Sequence, residues 1–347
     1  MKQSIILGIE SSCDDTSAAI ISGRKILSNV AATQAIHNEY GGVVPELASR
    51  AHQQNIIPVI EQSIQKANIQ QNEICAIGFT RGPGLLGSLL VGTSFAKSLA
   101  MSLEVPLIEV NHLQAHILAH FIEDANPNPP KFPFLCLTVS GGHTMIVLVK
   151  DYFDMEIIGK TIDDAAGEAF DKIGKIFDLD YPAGPIIDKK SQNGNPNAFT
   201  FNKPKLEGYD YSFSGIKTSV LYFIQKELKK NPQFVNENID DLCASVQKNI
   251  IEILMTKLEK AASDLGIKEI AIAGGVSANS ALRQAMRENE QKLGWNIYIP
   301  KFEYTTDNAA MIAMVAQLKY ERGEFANLST TATARYELNV NPLCIMK

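Results

Sequence analysis

The sequence predicts an α/β protein of two lobes, and three observations carry that reading. Apolar, strand-like runs alternate with amphipathic helical stretches along the chain. The order strand, polar turn, strand, strand, helix occurs twice, near residue 5 and again near residue 134. The length of 347 residues is enough for about two domains. The repeat is one of architecture, not of residues. Two lobes that each open on a hairpin, with its turn facing a nucleotide cleft, describe the fold of actin, Hsp70 and the sugar kinases. The first lobe is expected at 1–112 plus about 320–347, and the second at 113–319.

In chain order, strand IILGIE leads through the polar turn SSCDDTS to strands AAIIS and KILSNVAA, then to a long helix in PELASRAHQQNIIPVIEQSIQKA. Strand ICAIGFT, turn RGPGLLGS and helix LLVGTSFAKSLAMSL follow, and then strand PLIEV runs into helix HLQAHILAHF. A Pro- and Asn-rich stretch, EDANPNPPKFPF, is the only linker-like segment. The pattern then restarts with strand FLCLTVS, turn GGHT, strands MIVLVK and EIIG, and helix AAGEAFDKIGKIF. YPAGP is expected to be a rigid loop. Long amphipathic helices lie in SGIKTSVLYFIQKELKKN and DDLCASVQKNIIEILMTKLEKAASDLG, strand EIAIA enters GGVSANSALRQAM, and NAAMIAMVAQLKYERG is the last helix. The tail after Arg335 has no clear pattern.

Composition narrows the function classes. Hydrophobic residues make up 45% of the chain, which suffices for a sizeable core. No apolar run is expected to reach the ~18–20 residues of a membrane span. The opening MKQSIILGIE lacks a cleavage site and is expected to be a strand, not a signal peptide. Of the five cysteines, Cys75, Cys136 and Cys243 sit in apolar or helical runs as small core residues, and no C-x-x-C pair exists. A reducing, cytoplasmic setting is the expectation. The net charge of −6 argues against holding nucleic acid by bulk charge alone, although a local basic patch or a partner could supply it. Arg50, Arg81, Lys217, Arg283 and Lys301 are the candidates for such a patch, and the apolar helix starting at Glu46 is a candidate partner face.

The chemistry-bearing residues fall into a few turns. His112 and His116 are i and i+4 on a helix that follows a buried strand, so both imidazoles can reach one metal ion. Asp307, with Thr306 as its expected N-cap, can supply a carboxylate. Two histidines and one carboxylate with open positions suit iron(II), zinc or another divalent ion. The bland alternatives are a half-buried histidine pair and an ordinary helix-start aspartate. VSGGHT offers bare N–H groups that can cradle phosphate, or is an ordinary hairpin. IAGGVSAN enters a helix through paired glycines, where a nucleotide can approach the backbone and Asn279 can bond to it. RGPGLLGSLLVG has no Walker lysine and is mainly structural. Acidic pairs Asp14 with Asp15, Asp163 with Asp164, and Glu168 with Asp171 can act in catalysis or simply fix turns. Lys172 lies beside the last pair.

Ten motifs, in order, span about residues 5 to 335: GIESSCDDTS, GGVVPELASRAH, GPGLLGSLLVG, VNHLQAHILAH, VSGGHT, IDDAAGEAFDK, LDYPAGP, YSFSGIKT, AGGVSAN and TTDNAAMIA. Together they resemble the universal tRNA N6-adenosine threonylcarbamoyltransferase family in its bacterial form. The family was once described as a glycoprotease, but the chain has no H-E-x-x-H.

The resemblance implies an actin, Hsp70 and sugar-kinase type fold. It implies transfer of threonylcarbamoyl from threonylcarbamoyl-AMP to N6 of the adenosine 3′ of the anticodon, position 37, in tRNAs reading codons that begin with A. His112, His116 and Asp307 match the metal ligands, with iron(II) the implied ion and zinc the alternative. Thr138, Val139, Ser140, Gly141 and Gly142 match the loop that contacts the acyl-adenylate. Asp171, Gly184, Asp188 and Asn279 match its other contacts. Asp14 and Asp15 match the acidic pair at the reaction centre, where the family often has Asp-Glu, so which carboxylate acts stays open. Ala183 stands where glycine is common. The implied partners are tRNA, a related subunit of the same fold that lacks the metal site, and a small ATPase. An ATPase or small-molecule kinase of the same fold is the main alternative, ahead of a metallopeptidase or a non-enzymatic scaffold.

Overall fold

The computed structural model describes residues 4–124 and 128–338. The chain opens with strands β1 (Ile5–Glu10), β2 (Thr16–Ser22) and β3 (Lys25–Ala32), followed by helix α1 (Pro45–Ala67). Strand β4 (Ala76–Gly82), α2 (Leu86–Leu103), β5 (Leu107–Asn111) and α3 (His112–Leu118) complete its first run. The second run has β6 (Phe134–Val139), β7 (Thr144–Asp151), β8 (Asp154–Lys160), α4 (Ala166–Ile176) and α5 (Ala183–Ser191). It continues through α6 (Ser214–Leu228), α7 (Phe234–Glu237), α8 (Ile239–Leu265), β9 (Glu269–Ala273), α9 (Ser280–Leu293) and β10 (Asn296–Tyr298). Helix α10 (Ala309–Glu321) comes last.

Two compact units result. The first holds Met1–Pro130, Asp151–Met155 and Pro300–Lys347, and the second holds Lys131–Lys150 and Glu156–Ile299. The sheet order is β3-β2-β1-β4-β5 in the first and β10-β9-β6-β7-β8 in the second. Reversed, the second order is the first order again, strand for strand. In each, the opening hairpin is antiparallel, with Glu10 opposite Ser17 and Val139 opposite Thr144 at its end, and the later strands run parallel to the hairpin's first strand.

These units differ from the boundaries expected at 112 and about 320. Residues beyond 112 stay in the first unit because α3 packs on α10, and α10 packs on β1, β2, β4 and β5. The whole of α10 therefore belongs to the first unit. Asp151–Met155 joins it through Arg24, which donates to the Tyr152 hydroxyl, and Arg322, which pairs with Asp151 at 3.1 Å.

In the first unit, alternation along the strands sorts side chains to two faces. Leu7 and Ile9 of β1, with Ile77 and Phe79 of β4, meet Ile56, Val59 and Ile60 of α1. Gly8 and Gly78 lie on the opposite face, under α10. That helix is buried from Ala309 to Leu318, so its apolar side chains extend all round it. A Cβ on Gly8 would lie 2.6 Å from the Ala313 nitrogen and 2.7 Å from the Ala309 oxygen. A Cβ on Gly78 would lie 2.5 Å from that of Ala316. Small residues on both sides thus let the helix backbone rest on the sheet and fix the height of its N-terminus.

Helix α2, 18 residues with a mean hydropathy of 1.3, does meet the length and composition of a membrane-crossing helix, against the expectation of no such run. Its Gly, Ser, Thr and Lys positions interrupt the run, and its buried face packs on β4. YPAGP also differs from expectation. Only its first two residues are loop, since α5 begins at Ala183; Pro185 is tolerated because first-turn N–H groups have no helical partner. In the second unit Leu135, Leu137 and Ile146 of the sheet pack with Phe170 and Ile173 of α4 and with α5, α6, α8 and α9.

Candidate functional site

In the first unit, β5 ends where α3 begins, and Asn111 makes the junction. Its Oδ1 accepts from the Leu113 and Gln114 N–H groups at 2.9 and 3.2 Å, which caps the helix. Its amide donates to the carbonyls of Tyr336 and Glu337. His112 and His116 are then one turn apart, with ring centroids at 4.7 Å, edge to face. Asp307 reaches them from just before α10. Asn308, not the expected Thr306, is that helix's N-cap, accepting from the Met311 N–H. Thr306 is exposed and offers only its carbonyl, which accepts from Asn308.

Asp307 Oδ1 lies 3.3 Å from His112 Nε2 and 3.2 Å from His116 Nε2. One donor atom from each residue falls within 4.8 Å of the others. Both imidazoles are buried and Asp307 is half-buried. Burial works against the charged Asp307, but the two histidines beside it hold its carboxyl well below the usual range. Burial likewise opposes charge on His112, but Asp307 and Glu10 raise it well above the ordinary histidine value. Two imidazole nitrogens and one carboxylate oxygen are a donor set that fits a divalent ion. His116 Nδ1 is buried with no hydrogen-bond partner, so nothing binds that ring from behind.

The turn between β1 and β2 lies beside this group. Glu10, on the α10 face of β1, accepts from His112 Nδ1 at 2.9 Å, from the Thr80 hydroxyl at 2.7 Å and from the Ser12 N–H. His52 of α1 holds the turn from the other side. Its Nε2–H donates to the Cys13 carbonyl at 2.9 Å, and its Nδ1 accepts from the Thr16 hydroxyl at 2.7 Å. Burial lowers the His52 value, so the ring stays neutral, as these two bonds require. Asp14 and Asp15 are half-buried. Asp15 Oδ1 is buried without a partner, and burial together with the neighbouring Asp14 charge pushes its carboxyl up to about 7. Burial and Asp14 also raise Cys13, which keeps it a thiol.

In the second unit the corresponding turn is built of backbone. Ser140 N–H donates to the His143 carbonyl, and His143 N–H donates back to Ser140 Oγ. Gly141 and Gly142 are exposed, and a Cβ on either would meet nothing within 4 Å. Thr138 and Val139 are buried in β6, opposite Met145 and Thr144 of β7. The Ser140 carbonyl accepts from Gly167 N–H, and Thr144 Oγ1 accepts from Ala166 N–H, so the start of α4 is tied to the turn. Gly274 has φ +85°, and a Cβ there would lie 2.5 Å from the Val139 carbonyl, which ties the β9 exit to the same place.

The other expected contact residues are already engaged within the unit. Asp171 accepts from the N–H groups of Ala183 and Gly184, capping α5, and burial raises its carboxyl. Asp188 accepts from the Ser280 N–H and hydroxyl at 3.0 and 2.6 Å. Asn279 caps α9 through Leu282 N–H and donates to Gln247 at 2.7 Å. Gly184 lies in the first turn of α5. These residues therefore tie the start of α5 to α4 and the start of α9 to α5 and α8. Lys172 pairs with both Asp164 and Glu168, and Asp163 accepts from Ser212, Phe213 and Ser214, so this acidic cluster is structural. Of the expected basic patch, Arg50, Arg81 and Lys301 are paired with Glu46, Glu109 and Asp124, and Arg283 donates to the Ser277 carbonyl.

Sequence reading missed Glu10, Thr80 and His52. The available signal for Glu10 was a carboxylate ending a strand otherwise made of Ile, Leu and Gly. Such a charge is buried only if it is partnered.

Comparisons with known proteins agree with this architecture. The family model described as tRNA N6-adenosine threonylcarbamoyltransferase matches residues 25–314. A protein of that name from Riemerella anatipestifer is 99% identical over 340 residues, covering 98% of this chain and 100% of the relative. One from Christiangramia forsetii is 63% identical over 332 residues, covering 96% and 98%. Among solved structures, full-length HypF in its phosphate- and nucleotide-bound form aligns with a TM-score of 0.62 at 13% identity, over 94% of this chain and 48% of HypF. The activator of 2-hydroxyisocaproyl-CoA dehydratase from Clostridium difficile aligns with a TM-score of 0.51 at 14% identity, over 94% and 99%. These two share the fold with this chain, which is of the actin, Hsp70 and sugar-kinase type. The chain belongs to the tRNA N6-adenosine threonylcarbamoyltransferase family, and is an acyltransferase of t6A synthesis that places a threonylcarbamoyl group on N6 of an adenosine in tRNA.

Proposed function

We propose that the donor is threonylcarbamoyl-AMP and the acceptor the adenosine at position 37, 3′ of the anticodon, in tRNAs reading codons that begin with A. The observation that carries the reading is the convergence of His112, His116 and Asp307 on one point. These three residues hold one divalent ion, iron(II) or zinc. When bound, the ion supplies Lewis-acid character to the phosphate or carboxylate oxygens it contacts.

The amine nitrogen attacks the carbamoyl carbon, a C–N bond forms, and the C–O bond to AMP breaks. Because AMP is a good leaving group, the barrier needs positioning and charge stabilisation, not a covalent enzyme nucleophile. Asp15 takes the proton lost by the amine, and Asp14 beside it keeps the Asp15 carboxyl basic. The N–H groups of Gly141 and Gly142 hold the adenylate, with Ser140 and the backbone of Thr138 and Val139 behind them. Asp171, Gly184, Asp188 and Asn279 shape the surrounding helix starts. A related subunit without the metal ligands and a small ATPase complete the enzyme, which acts in the cytoplasm.

The test is transfer by the purified chain, loaded with iron(II) without oxygen and mixed with threonylcarbamoyl-AMP, tRNA and the two partner proteins. Nucleoside mass spectrometry is expected to show N6-threonylcarbamoyladenosine at position 37. Asp307→Asn is expected to lower the rate by about 10²–10³, as loss of one preorganised charge does. Full transfer by that variant overturns the role given to the triad.

A further inference from the structure

We infer that Glu10 is the positioning residue that turns the ligating nitrogen of His112 toward the cation, and so sets how tightly the first unit holds it. The inference rests on the metal reading above and concerns a residue outside the ligand set.

Glu10 is fully buried at the end of β1. Leaving a carboxylate there without partners would cost several kcal/mol, on the order expected for a desolvated ion. Three donors surround it instead, each from a different place in the chain: Ser12 N–H, the Thr80 hydroxyl and His112 Nδ1. Thr80 shares the α10-facing side of its strand with Gly78, as Glu10 does with Gly8, so the pleat itself brings the two together. A carboxylate at 2.9 Å from Nδ1 keeps the proton on that nitrogen. In the neutral ring that a cation requires, the lone pair is then on Nε2, the nitrogen 3.3 Å from Asp307 Oδ1. Ser12 Oγ, 3.2 Å from the same Nδ1, adds a second polar contact on that side of the ring. The Glu10 carboxylate also adds electron density to the imidazole and brings a second negative charge close to the cation, beyond that of Asp307.

His116 has no such support, because its Nδ1 is buried without a partner. The two histidines are therefore unequal. His112 is a ligand fixed from behind, and His116 is held only by helix packing and by Asp307. Among the described residues, Glu10 is the one carboxylate outside the ligand set that bonds to an imidazole of it, and its loss leaves His112 without that support.

The experiment uses the metal-free full chain titrated with Co²⁺, whose visible absorption reports both affinity and coordination geometry. Wild type is expected to bind one Co²⁺. Glu10→Ala is expected to bind it about 10–100-fold more weakly, with an altered spectrum. Glu10→Gln, of nearly the same shape, keeps an acceptor for Nδ1–H but not the charge, and is expected to fall about tenfold. It also keeps the test decisive if the alanine variant does not fold. Affinity within twofold of wild type and an unchanged spectrum in the glutamine variant overturn the inference while leaving the metal reading standing. A wild-type chain that binds no Co²⁺ overturns both.

Discussion

The two units share a strand order and an opening hairpin, but the turns of those hairpins are made of different material. In the first unit the turn between β1 and β2 carries two half-buried aspartates, is pinned by the neutral His52, and begins at the fully buried Glu10. In the second, the turn between β6 and β7 is exposed glycine closed by Ser140 and His143. The same topology thus delivers a turn to the same relative place, and side chains decide what it serves. Carboxylates and imidazoles suit a cation and a proton transfer. Bare N–H groups suit an anion.

The largest test of that contrast is Asp15→Asn. If the first turn does proton chemistry, this change is expected to lower transfer by about 10²–10⁴ with donor affinity retained. The wild-type rate is expected to fall as pH drops through about 7, because the carboxyl is then protonated. The folded value lies above the ordinary 3.8, so Asp15 costs stability as pH rises from there toward 7, and the asparagine variant should flatten that slope in denaturant titrations. A pH–rate profile that keeps its acid limb in the variant would assign the base elsewhere.

Next in size is Gly8→Ala. The added methyl must displace the α10 backbone, and overpacking of this kind costs about 1–3 kcal/mol. Since α10 sets the height of Asp307, metal affinity should fall together with the denaturation midpoint. Loss of stability with metal binding intact would separate the helix position from the ligand geometry.

The smallest effect on the fold is expected from Gly141→Ala combined with Gly142→Ala. Open space surrounds both positions, so unfolding free energy should change by less than about 0.5 kcal/mol. If backbone presses on the adenylate there, the KM for the donor should still rise about tenfold, read from initial rates. An unchanged KM would make the second turn an ordinary hairpin.

Much of this was legible in the sequence. The alternation of strands and helices, the doubled hairpin and the i, i+4 histidine pair are local patterns, and the chain follows them. The start of α5 was hidden because Pro182, Gly184 and Pro185 resemble a loop, although a proline is allowed in a helix's first turn. The unit boundaries were misplaced because α10 joins the first sheet by contacts far apart in sequence. Glu10 escaped notice for a related reason. Its partner His112 lies 102 residues away, and one carboxylate among 38 acidic residues carries no mark of its burial until that neighbour is in place. Asp171 and Asp188 show the converse. The family resemblance singles them out, but their bonds to the starts of α5 and α9 depend on tertiary arrangement that no spacing reveals.

The seating of α10 on Gly8 has a consequence for synthesis. Both imidazoles leave the ribosome nearly two hundred residues before the carboxylate that completes their set. A nascent chain can assemble the five strands of its first sheet early, but it cannot close the cation's coordination until its final helix docks. On the metal reading, capture waits until α10 is made, and polypeptides that stop before Asp307 lack the carboxylate of the set.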